Sequence, residues 1–153
     1  MNISTYFKLE QIKEQICSDL KININDINVE YIEGTTNPEC FSKVQHVGEN
    51  KYMIKVYTGS FTYFHETVYA VAHELRHVWQ YRHGHAPTKG HTIETYDETY
   101  DYNVCEIDAN RYADIVVYEK THKINKRYNM YFSDEELDIY CKKCVEAGVK
   151  IPA

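Results

Sequence analysis

The residues of this chain that could do chemistry gather at two places. The first is His73-Glu74-Leu75-Arg76-His77, two histidines four residues apart with a glutamate directly after the first. On a helix, at about 100° per residue, the two imidazoles project within about 40° of each other and can grip one metal ion. Glu74 stands about 100° from His73, on the flank, where its carboxylate reaches the water that a metal activates and not the metal itself. That is the place of a general base. The pattern alone leaves open a helix that simply carries two solvated histidines.

The second place is Glu106-Ile107-Asp108-Ala109-Asn110-Arg111-Tyr112-Ala113. Zinc in a hydrolytic site takes three protein ligands and keeps its fourth position for water, so a third donor must come from elsewhere in the fold. Glu106 is the best candidate. Ala109 and Ala113 lie near it on a helix and permit close approach to the His73 helix. Asn110, one turn on, shares the face of Glu106 and is expected to accept the Nδ1 proton of a ligand histidine, fixing its tautomer. Attack of a metal-activated water on a carbonyl would also need a donor for the oxyanion; Tyr102, one turn before Glu106, and His122 are the candidates.

Other donors compete with Glu106. His83 falls where the metzincin pattern, His-Glu-x-x-His-x-x-Gly-x-x-His, has its third ligand, but Gln80 replaces the glycine that turns the chain back. In a continuing helix His83 points about 80° away from His73. The downstream His85 and His91 are the donors a SprT-like arrangement would use; as loop residues they are left out of the site, as are His46 and His65. Cys141-Lys142-Lys143-Cys144 has zinc-knuckle spacing without a second pair in register.

These residues need elements to position them. Apolar positions at Leu9, Ile12, Ile16 and Leu20 predict a first amphipathic helix over 6–20. A β-branched run from Ile24 to Ile32 predicts a strand, and Gly34 to Pro38 a turn. Phe41 to Val47 and Lys51 to Tyr57, separated by Gly48-Glu49-Asn50, predict a hairpin. A helix over 62–83 carries the histidines, with Val68, Val71, Leu75, Val78 and Trp79 as its apolar back. A second long helix runs from about Asp97 to Glu119, after a loop over 84–95. Ser133 with Glu136 three residues on caps a last helix.

Composition bounds the rest. At 153 residues, with 43% hydrophobic and 26% charged residues, the chain is expected to form one domain around one core. The net charge of −6 disfavours nucleic acid as a partner. No apolar run approaches the roughly 18 residues of a bilayer span, and no basic and apolar leader opens the chain, so no membrane partner and a cytoplasmic location are expected. Five scattered cysteines argue for free thiols.

Taken together, His73 to His77 and Glu106 to Ala113 resemble the core of the gluzincin metallopeptidases, which join a His-Glu-x-x-His helix to a "glutamate helix" reading Glu-x-x-Ala-Asp/Asn. The order of elements resembles minigluzincins and the ImmA/IrrE-type catalytic core. The resemblance implies His73, His77 and Glu106 as ligands of one Zn2+ and Glu74 as base and proton shuttle. It also implies the Lys51 to Tyr57 strand as the edge strand above the cleft, and Asn110 stands where many relatives have Asp. The expectation is therefore an α+β, zincin-like single domain with a small, mainly antiparallel sheet, hydrolysing a protein or peptide substrate. An endopeptidase is expected ahead of an exopeptidase. The alternatives are a catalytically silent zinc-fold module acting by protein contact, and a protease with a histidine as third ligand.

Overall fold

The computed structural model describes residues 1–34, 41–83 and 100–123. Within them the chain is an α+β arrangement of three helices and a three-stranded sheet. The turn expected over 35–38, the loop over 84–95, the first residues of the Asp97 stretch, the Ser133 helix and the Cys141 and Cys144 pair lie outside the described residues.

Helix α1 spans Ile3–Asp19. Asn2 caps its N-terminus by accepting a hydrogen bond from the Thr5 amide at 2.8 Å, satisfying a donor the helix leaves unpaired. Leu9, Ile16 and Cys17 face the core, which is the helical spacing read from the sequence. The strands are β1 (Ile27–Ile32), β2 (Ser42–Gly48) and β3 (Lys51–Tyr57). Along β3, Tyr52, Ile54 and Val56 are buried while the residues between them are not. One face therefore packs on the helices. Asn50, in the expected hairpin turn, holds φ +56°, a left-handed conformation that asparagine tolerates better than most side chains.

The sheet corrects two expectations. Its order is β1-β3-β2, with β1 parallel to β3 and β2 antiparallel to it, so it is mixed and not mainly antiparallel. Alternation along a strand reports which side chains are buried; it carries no information about which neighbour the strand takes. The Lys51 to Tyr57 strand is consequently central. The edges are β1 and β2, and the second half of β2 is exposed.

Helix α2 (Phe64–Arg82) crosses the middle of the fold. Val68, Val71, Leu75, Val78 and Trp79 are all buried in the common core, as the apolar back of this helix requires. Helix α3 (Tyr100–Thr121) lies along its other side. Tyr69 meets Asn110, His73 meets Glu106 and Gln80 meets Cys105, so the two helices run antiparallel. Ala109 and Ala113, both fully buried, stand in the seam. No helix among the described residues is long and apolar enough to cross a membrane.

Beneath the seam is a buried ion pair. Arg76, fully buried, donates from Nε to Asp108 Oδ2 at 2.7 Å and from Nη2 to Oδ1 at 3.2 Å. Its guanidinium lies 3.7 Å from the Trp79 ring centroid. Removing one partner of a buried pair leaves an uncompensated charge and costs about 3–5 kcal/mol. Asp108→Ala is therefore expected to lower the unfolding free energy by about that amount, read as a fall in the urea midpoint with an unchanged m-value.

Candidate metal centre

The sequence places His73 and His77 one turn apart on α2, and the fold turns both toward α3. Their Nε2 atoms lie 3.1 Å apart. Glu106, from α3, brings Oε1 to 2.9 Å from His77 Nε2 and Oε2 to 3.3 Å from His73 Nε2. Three donors from two helices thus converge on one point. Glu74 is near enough to complete a group with both histidines, one ligand atom from each lying within 4.8 Å of the others, and this group could hold a metal ion.

The two glutamates differ in how they are committed. Glu74 Oε1 accepts a hydrogen bond from the Ser42 hydroxyl of β2 at 2.8 Å, while its Oε2 is buried with no partner. A buried carboxylate oxygen without a donor is costly, and a water held beside the histidines would supply one. Glu106 instead faces both imidazoles. Glu106 is thus placed against both histidines from α3, while Glu74 stands beside them with one oxygen held by Ser42 and the other unpaired. The strand that touches Glu74, through Ser42, is the edge strand β2, while the Lys51 to Tyr57 strand is central in the sheet.

No family model, curated protein or solved structure gives a significant match to this chain.

What the centre can do is set by its own donors. Burial alone would lower the pKa of His77, but the charge of Glu106, their hydrogen bond and the charge of Glu74 raise it to about 9. Burial likewise would raise Glu106, and the charges of His77 and His73 hold it well below the usual carboxylate range. Without metal, the centre is thus a proton clamped between an imidazole and a carboxylate. A divalent cation would take the place of that proton, and metal binding is favoured by rising pH.

The tautomer of His77 is fixed by a residue that sequence reasoning passed over. His77 Nδ1 lies 2.7 Å from Gln80 Oε1, and because the amide oxygen can only accept, Nδ1 carries the proton and Nε2 is free for a metal. Gln80 is held in turn, donating from Nε2 to the Cys105 carbonyl at 2.9 Å and to Asp108 Oδ2 at 2.8 Å. The chain of contacts runs from His77 through Gln80 and Asp108 to Arg76. The signal was present: Gln80, three residues after His77, falls within about 60° of it on a helix. Gln80→Ala is expected to weaken metal binding by about 10- to 100-fold, measured by competition with a chelator of known affinity, with helix content unchanged.

Asn110 does not take the part expected of it. Its Oδ1 accepts from the Tyr69 hydroxyl at 2.7 Å, and His73 Nδ1 is buried without a partner. One turn of helix puts Asn110 on the correct face of α3, but in the antiparallel packing that position meets Tyr69. His83 is not brought to the centre: its Nδ1 donates to the Trp79 carbonyl at 2.9 Å and its ring stacks on the Trp79 ring. His122 follows Glu106 by 16 residues, about 24 Å along a helix, beyond reach of the site. Tyr102 lies one turn before Glu106 within α3. His85 and His91 are outside the described residues.

Proposed function

We propose that this chain is a zinc-dependent peptidase of gluzincin type, with His73, His77 and Glu106 as ligands of one Zn2+ and Glu74 as general base. The observation that carries the reading is the convergence of both Nε2 atoms on the Glu106 carboxylate, at 2.9 and 3.3 Å, beside a buried Glu74 oxygen that has no donor. Two imidazoles and one carboxylate form a donor set that suits zinc and leaves a position open for water. When bound, zinc would supply Lewis acidity, lowering the pKa of water and polarising the scissile carbonyl.

The residues of the chain do the rest. Ser42 holds Glu74 by Oε1 and leaves Oε2, buried and unpaired, to accept a proton from the attacking water. Oε2 takes the water's proton and passes it to the leaving amine, so that one carboxylate serves first as base and then as acid. Gln80 keeps the proton of His77 on Nδ1. A module that used this centre only as a structural staple would have no use for the buried, unpaired oxygen of Glu74, which disfavours a catalytically silent role.

Elemental analysis of protein purified without added metal, followed by assay on a pool of internally quenched peptides, tests the reading. About one zinc per chain is expected, with cleavage abolished by a chelator and restored by zinc. A protein that holds no metal and cannot be loaded would sink the proposal.

A further inference from the structure

We propose that the phenol of Tyr81 is the hydrogen-bond donor to the negative charge that develops on the scissile carbonyl oxygen. The proposal rests on the peptidase reading and deepens it, because that chemistry requires a donor aimed at the oxyanion, and His122 is too distant to be one.

Position on α2 is the first observation. Tyr81 follows His77 by four residues and Glu74 by seven, so at about 100° per residue it stands about 40° from His77 and about 20° from Glu74. It shares the face that carries the chemistry. Side chains on a helix lean toward its N-terminus, which carries the phenol back over the turn of His77, one turn short of Glu74.

The surroundings are the second. The Tyr81 ring packs against Tyr52 of β3, with centroids 6.4 Å apart, and Tyr52 stacks on His46 of β2 at 4.7 Å. An aromatic row thus braces Tyr81 from the sheet side. The residue remains 39% exposed, so a substrate can reach it. Partial burial first, and the charges of Glu74, Cys105, Tyr52 and Glu106 after it, hold its proton more tightly than an ordinary phenol does. Tyr81 therefore stays a donor at neutral pH. Two nearby polar side chains are already committed: Ser42 donates to Glu74, and Gln80 to Cys105 and Asp108.

The experiment compares the parent, Tyr81→Phe and Glu74→Gln, each loaded with Co2+ as a visible reporter of the centre. Each is titrated with a phosphinic peptide, whose tetrahedral anion carries charge where the oxyanion would, and each is assayed on the quenched peptide pool. For Tyr81→Phe the expected result is unchanged Co2+ binding, phosphinic-peptide affinity lower by about 10²-fold or more, and kcat lower by about 10²- to 10³-fold at constant KM. If Tyr81→Phe matches the parent in both while Glu74→Gln is inactive, the assignment of Tyr81 is overturned and the peptidase reading survives. If Tyr81→Phe loses Co2+ along with the phosphinic peptide, the residue is structural and the assignment also falls. A metal-loaded parent that neither cleaves peptides nor binds the phosphinic peptide overturns the peptidase reading and takes this proposal with it.

Discussion

Glu106→Ala is expected to lower zinc affinity by more than about 100-fold, since groups that merely orient ligands already contribute about 10- to 100-fold. Glu106 places its carboxylate against both imidazoles, 2.9 Å from His77 and 3.3 Å from His73. Its removal leaves two neutral donors on one helix turn, with neither the charge nor the third contact from α3. His83→Ala is the control: a ring stacked on Trp79 has no part in the centre, so this variant should keep its metal. The opposite pattern would make His83 the third ligand and refute the assignment. Competition with a chelator measures both.

The same substitution has a signature in the metal-free chain. His77, raised from 6.5 to about 9, contributes stability that is complete below pH 6.5 and lost as pH rises through about 9. Glu106, lowered well below 4.5, contributes stability present above pH 4.5 and lost as pH falls through its folded value. The stability gap between parent and Glu106→Ala should therefore be widest between pH 4.5 and 6.5 and should narrow toward pH 9. A gap that widens at alkaline pH would contradict the pairing.

Glu74→Gln is the second large effect, expected to remove about 10²- to 10⁴-fold of peptide turnover while zinc content stays the same. The change is nearly isosteric, and the amide oxygen can still accept from Ser42, so the strand-to-helix contact survives. The amide cannot accept a proton from water. This variant also separates the two roles open to Glu74, which lies close enough to the histidines to be counted with them in a metal-holding group. Loss of zinc together with activity would make Glu74 a ligand and would require another base.

Much of the candidate centre was legible in the sequence, because its two halves each lie on one helix and helical geometry is local. His73, Glu74 and His77 needed only the angle per residue, and Val68, Val71, Leu75 and Val78 needed only their spacing. What was not legible depends on how elements meet. Nothing local to Asp108 says that it pairs with Arg76, 32 residues away, or that Asn110 will oppose Tyr69. Ser42 was invisible for the same reason: its contact with Glu74 follows from β2, an edge strand of the sheet, lying beside α2. Gln80 is different. Its position relative to His77 was computable, and its contact was missed because the residue was considered only as the absence of a glycine.

The fully buried Ala109 and Ala113 act as a gauge block between the two helices whose side chains would, on the proposed reading, hold the metal. The separation they set is the span across which His73 and His77 must reach Glu106, and a coordination shell tolerates errors of only about 0.2 Å. A leucine at Ala109 would be an ordinary overpacking fault in a helical seam, costing about 1–3 kcal/mol. Here it would also detune the centre, prying the ligand halves apart although the substituted side chain touches neither ion nor substrate. Small residues in this seam are thus a dimensional tolerance of the centre as much as a matter of packing.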